Sequence, residues 1–457
     1  MNAAASRSAR RAYINMLRTK QKILLSIFFL AVLFPVILIA ISNTTNGTWR
    51  SWPRELGSFA GLLGLSLMIL ASVPINRLPP VTKAFNQDVV YTFHHKYTTA
   101  GFFLSTFHLA ALWINNPGIG RYLNVFKNYP FYMKSAVFTL VIAGLMVCFA
   151  HFRKEFHIDY DVWKFFHSIF AIAVVVFGLI HVFGVNYYTA LPWIRWYYII
   201  ITAFSGFSIL WLRIVSPVRQ LGKPYRIIEV NVMNNDATEI VLEFAGKPDQ
   251  RPIPYQSGQV AWISVRQSPF SFSKHPFSIT SDDTNQNRLS FAIRDLGNFT
   301  STVKDLNVGE TVYVEGWFGI FDPYKLGNEG IVMIAGGIGI APVMGMLRSL
   351  ASRKDKRRFV VFFGSRDRDS ILFYDELNEI SKVLNLDVIH ILEQTDDPAF
   401  EKGTITEEAL RNHFPKSKDA FDVFVCGPLP MVTIVNKSLE RMGIDKKNRW
   451  PEFYEMA

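Results

Sequence analysis

Cysteine is nearly absent from the 457-residue chain: Cys148, in an apolar run, and Cys426, near the C-terminus, are the only two. Two thiols that far apart exclude a disulfide framework and a thiolate metal site. No internal repeat or low-complexity tract is present, which sets aside repeat architectures. The GxGxxG dinucleotide fingerprint is missing, and no calcium-binding loop signature precedes the first apolar run, so direct calcium control is not expected. Uninterrupted Leu/Val segments are missing as well, because Gly, Ser, Thr and His recur within the apolar runs. That composition suits helices that pack on one another rather than on lipid alone.

What is abundant is apolar sequence. Half of the residues are hydrophobic and Phe alone accounts for 39. Runs near 23–41, 57–75, 91–115, 131–150, 162–185 and 193–215 approach the ~20 residues that a spanning helix needs. From about residue 223 the composition becomes that of an ordinary soluble domain. The expected organisation is an N-terminal segment (1–22), a six-helix transmembrane bundle (23–216), an antiparallel β-barrel (223–327) and an α/β nucleotide-binding domain (328–457). The run at 23–41 is long and no small-residue cleavage site follows it, so it reads as a span and not a signal peptide.

The net charge of +11 is placed for a membrane, not for nucleic acid. Arg7, Arg10, Arg11, Arg18, Lys20 and Lys22 precede the first run, which predicts a cytoplasmic N-terminus. Six spans return the chain to that side, where Arg213, Arg219, Lys223 and Arg226 meet it. Arg50, Arg54, Arg121, Lys127, Lys134 and Arg195 fall in the outer loops, so the bias is partial.

Ionisable residues inside apolar helices point to function. His94 and His108 in the third run are fourteen residues apart, as are His167 and His181 in the fifth. At ~100° per residue, fourteen steps fall about 40° short of four turns and climb ~21 Å, so each helix carries two imidazoles on one face, near opposite sides of the layer. Facing pairs could ligate two stacked b-type haems, one inner and one outer. A single such histidine could equally be a hydrogen-bonded packing residue; the matched spacing favours ligation. His95 competes with His94, but thirteen residues would leave it ~140° from His108. His151 and His157 read as loop residues, and His390 and His413 have no constellation around them.

In the soluble half, short alternating strands (YRIIEVNVM, TEIVLEFAG, QVAWISVR, RLSFAIRDL, TVYVEGWFG) predict a small antiparallel barrel. Within it lie HPFSITS, 275–281, and IRDLGNFTSTV, 293–303. Pro276 stiffens an extended entry, and the Ser278 hydroxyl could reach a flavin ring nitrogen. Arg294, Gly297 and Thr300 supply a cation, a close-approach backbone and a hydroxyl suited to a pyrophosphate, though ordinary turns would explain each alone. IVMIAGGIGIAPVMGMLRSL, 331–350, reads as strand, glycine turn and helix, with Gly336, Gly337 and Gly339 admitting a phosphate. FVVFFGSRDRD and DVFVCGPLPMV each end a further strand on the same predicted sheet edge. Ser365 and Arg366 suit an adenosine 2′-phosphate, favouring NADPH over NADH; a solvated turn is the alternative for Arg366.

In this order the motifs resemble the ferric reductase and NADPH oxidase superfamily, and the likeness covers nearly the whole chain. The paired histidines, HPFSIT, GGIGIAP and VCGPLPM carry it, with TFH at 92–94 matching the oxidase pattern. The resemblance implies that His275, Pro276, Phe277 and Ser278 hold the isoalloxazine of FAD, with Arg294 and Thr300 on its phosphates, and Thr280 is expected among the cofactor-binding residues. Gly337, Gly339, Pro342, Cys426, Gly427 and Pro428 would frame the nicotinamide nucleotide. Two features depart from the family: its fifth-span spacing is often thirteen, and its terminal aromatic is replaced by Glu455, Met456 and Ala457, leaving Phe453 or Tyr454 as substitutes. The implied activity is electron transfer from cytoplasmic NADPH through FAD and two haems to dioxygen, or to a ferric chelate, on the far side. Leu112 stands where some oxidases carry a histidine, which weakens the dioxygen case slightly. The rival is a six-span permease with a nucleotide-sensing domain. No obligatory protein partner is evident.

Overall fold

The computed structural model describes residues 3–453 apart from 154, 235, 248, 267 and 328. Two compact bodies form, one from Met1–Thr19, Thr82–Asp88 and Ser216–Ala457 and the other from Lys20–Val81 and Val89–Val215.

The second body is helical. Its long elements are α1 (Ala3–Asn46) from Lys20 onward, α2 (Trp52–Leu70), α3 (Gln87–Asn115) from Val89 onward, α4 (Phe131–His151), α5 (Tyr160–Val185) and α6 (Pro192–Leu210). Five of these six, all but α3, are long and apolar enough to cross a membrane. At 29 residues α3 has the length, but Asp88, His94, His95, Lys96 and His108 lower its apolar character. Small residues bring α2 and α3 together. A Cβ at Gly64 would lie 2.7 Å from the Gly101 carbonyl, and one at Gly57 3.1 Å from the Ala111 Cβ. At Gly64 only glycine permits so close an approach, and at Gly57 any side chain would make a tight contact. Ile39, Ile69, Ile194 and Tyr198 are fully buried in the apolar core of this body.

The first body contains two sheets. Strands β1 (Tyr225–Asn234), β2 (Ala237–Phe244), β3 (Val260–Val265), β4 (His275–Ser278), β5 (Arg288–Arg294) and β6 (Thr311–Phe318) form an antiparallel sheet of order β4-β3-β6-β1-β2-β5. The expected barrel is not a closed ladder: its two edges meet through the isolated bridge Ile279–Phe291. The core alternates as the sequence pattern requires, with Ile227, Ile240, Leu242, Leu289 and Phe291 buried.

The other sheet is parallel throughout, from β7 (Gly330–Gly336), β8 (Arg358–Ser365), β9 (Asn385–Leu392), β10 (Glu401–Lys402), β11 (Phe421–Gly427) and β12 (Arg449–Phe453), in the order β10-β9-β8-β7-β11-β12. Helices α7 (Ile340–Ser352), α8 (Tyr374–Val383), α9 (Glu407–His413) and α10 (Leu429–Arg441) supply its apolar partners. Burial on both faces explains the near-continuous apolar strands.

The expected separate N-terminal segment is instead the start of α1 and belongs to this body. Ile14 joins the apolar core, and Arg10 donates to both oxygens of the buried Asp422 at 2.7 and 2.6 Å.

Candidate functional site

Helices α3 and α5 bring the four histidines together in two pairs. The ring centres of His94 and His167 are 6.2 Å apart, and those of His108 and His181 are 6.3 Å apart. Two metal–imidazole bonds of ~2 Å, each continued by the ~1 Å from nitrogen to ring centre, add to about 6 Å. Each pair therefore leaves room for one iron between its rings. Three of the rings are oriented through Nδ1: His94 by the Ala71 carbonyl at 3.0 Å, His108 by Gly57 at 2.8 Å and His181 by Tyr132 at 3.0 Å. A ligating histidine commonly donates its other nitrogen in this way, leaving Nε2 for the metal. His167 Nδ1 is buried with no partner among the described residues. His95 is exposed and joins neither pair.

A cavity of about 620 Å³ adjoins the second pair, lined by Gly61, Leu112, Tyr132 and the two histidines themselves. Arg50 and Arg54 add positive charge to its wall. Arg50 is held by Glu55 at 2.8 Å, and Tyr188 hydrogen-bonds the same carboxylate.

In the other body, β4 sets His275, Pro276, Phe277 and Ser278 along the antiparallel sheet's edge, each partly exposed. His275 stacks on Phe299 at 4.2 Å, and Phe277 lies 6.1 Å from the same ring, so an aromatic face is already assembled there. Thr280 lies inward, its hydroxyl donating to Glu239 at 2.7 Å. Thr300 Oγ1 accepts the backbone N–H groups of Leu296 and Gly297 at 2.8 and 2.9 Å, closing a tight loop with Gly297 on the surface. Arg294 pairs with Asp236 at 2.7 Å and is two-fifths exposed. Its Nη1 would lie 3.4 Å from a Cβ at Gly337.

That glycine opens the parallel sheet's site. Gly337 has φ +55°, a conformation that disfavours other residues. A Cβ on Gly339 would come within 2.2 Å of the Cys426 carbonyl, and one on Gly336 within 2.4 Å of Met431 Sδ. The carboxyl ends of β7 and β11 thus converge where ligands of such sheets bind, with Pro342 in the first turn of α7. Gly427 and Pro428 continue this edge into α10. Ser365 Oγ is buried without a partner among the described residues, whereas Arg366 is largely exposed and pairs with Asp367 at 3.1 Å.

Sequence reasoning missed a pair of acidic groups here, the buried Asp88 and the partly exposed Glu452. In the β11–β12 register Cys426 lies opposite Glu452. Burial, then the charge of Asp88, pushes the Glu452 carboxyl up to about 8, although a hydrogen bond from Asn86 opposes the shift. Burial likewise pushes the Cys426 thiol up, with Glu452 and Asp88 adding to it. These residues stand far apart in the chain, and no local motif announces them. Phe453 ends β12, and Tyr454 lies outside the described residues.

Three stretches of the chain match family models. Residues 58–178 match a ferric reductase like transmembrane component, 223–317 an FAD-binding domain and 333–437 an oxidoreductase NAD-binding domain. In that order they give the chain the ferric reductase and NADPH oxidase-like architecture. The domain set is that of an NAD(P)H-dependent oxidoreductase built into a membrane protein.

Among curated relatives, NADH-cytochrome b5 reductase 1 of Eremothecium gossypii is 28% identical over 177 residues, which is 37% of this chain and 62% of that one. Nitrate reductase [NADH] of Solanum lycopersicum is 29% identical over 167 residues, 33% of this chain and 18% of that enzyme. The matches thus span at most about three-fifths of these two relatives. Flavohemoglobin from Malassezia yamatoensis aligns with 89% of this chain and 99% of its own at a TM-score of 0.51 and 18% identity, a likeness of fold.

Proposed function

We propose that the protein carries electrons from cytoplasmic NADPH across a membrane to an acceptor on the other side, most readily dioxygen, with superoxide as product. The observation that carries this reading is the pair of histidine pairs, with ring centres 6.2 and 6.3 Å apart and with three of the four rings oriented by a backbone carbonyl. On this reading α3 is a sixth span, and the excess of basic residues before the first span keeps the N-terminus and both sheets in the cytoplasm.

When bound, FAD would supply hydride acceptance and one-electron release, and haems held by the two histidine pairs would supply one-electron carriers within the apolar layer. The chain supplies position. His94 and His167 would hold the inner haem, and His108 and His181 the outer one. His275, Pro276, Phe277 and Ser278 would line the isoalloxazine, with Arg294 and the Gly297–Thr300 loop at the pyrophosphate. Thr280, buried and hydrogen-bonded to Glu239, would support that edge rather than touch the flavin. The turn at Gly336, Gly337 and Gly339, with Pro342, Cys426, Gly427 and Pro428, would receive the nicotinamide nucleotide. Ser365 and Arg366 would meet a 2′-phosphate, and NADH remains usable without that contact.

A ferric chelate is the second candidate acceptor, favoured by the cavity wall, where Leu112 lies beside His108 and Arg54 offers a cation to an anionic chelate. A dithionite-reduced minus oxidised spectrum of the purified protein tests the haem reading: b-type bands are expected, and their absence would return the permease reading. Cytochrome c reduction sensitive to superoxide dismutase identifies dioxygen; reduction of ferric chelate that persists under argon identifies iron.

A further inference from the structure

Helix α7 begins at the glycine turn, but its flank is fastened to the segment that follows β4. A Cβ on Gly345 would lie 2.4 Å from the Ile279 carbonyl, so helix and strand end touch through backbone. Three residues on, Arg348 Nη1 donates to the Thr280 carbonyl at 2.9 Å and to Glu239 Oε1 in β2 at 2.8 Å. Its Nε and Nη2 donate to the two carboxylate oxygens of Glu376 in α8 at 2.6 and 2.7 Å. Ser349 Oγ accepts the Asp283 N–H at 2.9 Å, and Arg353 reaches the Asp283 carboxylate at 2.6 Å. Positions 345, 348, 349 and 353 thus present one helical face to residues 279–283.

An apolar seam would hold two sheets together but would tolerate sliding. A guanidinium engaged on all sides fixes direction as well as distance, because its donors lie in one plane. A half-buried cation between two carboxylates is poor evidence for stability alone, since apolar packing often serves as well. Directional register is what the arrangement adds.

We propose that Arg348 is a positioning residue for hydride transfer, locking the glycine turn of α7 in register with the flavin-side strand His275–Ser278. The inference rests on reading those two elements as the nicotinamide and flavin edges. Hydride transfer demands a near-contact geometry, so a shift of about 1 Å costs on the order of a hundredfold.

The test uses full-length, flavin-loaded Arg348→Lys, which keeps the charge and loses the planar fork, with Gly345→Ala as a variant that wedges the same seam without touching a charge. Stopped-flow reduction of the flavin by NADPH should slow at least tenfold in both, with the NADPH dissociation constant within twofold of the parent. The long-wavelength charge-transfer absorbance of the flavin–nicotinamide complex should weaken. Hydrogen exchange at 279–283 should quicken while β9 is unchanged. Unchanged flavin reduction in both variants overturns the proposal, as does a rate loss that merely follows lost flavin or lost nucleotide affinity. Failure of the underlying reading shows separately: the parent's own flavin would not bleach with NADPH.

Discussion

At the scale of single residues, the histidines decide most. His94 faces His167 while His95 points outward, although the two are neighbours in sequence. His94→Leu should therefore remove about half of the haem, and His95→Leu should leave it nearly intact, as measured by pyridine haemochrome content. Loss from the second variant alone would reverse the assignment. Fourteen-residue spacing made this choice readable from the chain, because helical geometry is periodic. Arg366 was less legible. Replacing it with alanine should raise the apparent Km for NADPH, the loss of one charge-assisted contact costing ~1.5–3 kcal/mol, and should barely alter that for NADH. Equal effects on both nucleotides would place the discriminating group elsewhere.

Glu452 could not be read locally at all, since its surroundings come from β11 and from residues 86–88. Its carboxyl is pushed above its ordinary value, so the folded protein holds a proton that the unfolded chain releases. The stability tied to that proton is complete at pH below the unfolded value and is lost as pH rises through about 8. Glu452→Gln should flatten the decline in melting temperature between pH 5 and 8. A decline as steep as the parent's would show that Glu452 is not its source.

At the scale of elements, the contact between α2 and α3 carries an unusual burden. A Cβ on Gly61 would sit 2.8 Å from Nδ1 of His108, the atom that the Gly57 carbonyl orients. Gly61→Ala should displace that ring and strip the outer haem while sparing the inner one, with overpacking costing ~1–3 kcal/mol. Redox titration would show a single remaining potential; two unaltered potentials would mean that the helices yield instead. Glycine recurring in an apolar run signals close packing, yet nothing in the run says which neighbour is approached. The start of α1 shows the same limit. Its basic residues read as a topology signal, but Arg10 also forms a buried ion pair with Asp422, 412 residues away.

At the scale of the whole molecule, the proposed two-haem relay implies an order of events. His108 and His181 lie about four helical turns from His94 and His167, a rise of ~21 Å. His181→Leu should spare flavin reduction by NADPH and reduction of the inner haem, and should stop delivery to an acceptor confined to the far side of sealed vesicles. A soluble dye on the NADPH side should still be reduced. Far-side reduction at the parental rate with the outer haem absent would exclude the two-haem relay.

Composition and periodicity alone determined that a helical apolar half precedes two sheet domains, and that four histidines form two equally spaced pairs. They also placed glycine turns at strand ends. Those properties repeat along the chain at helix or strand period, so neighbours in sequence suffice to reveal them. Tertiary structure alone decided which carbonyl orients three of the four rings and that Thr280 turns inward to Glu239. It also decided that Asp88 and Cys426 crowd Glu452, and that Arg348 joins helix α7 to the end of strand β4. Such contacts join residues tens to hundreds of positions apart, and only the packed chain, not any local rule, brings their charges within reach.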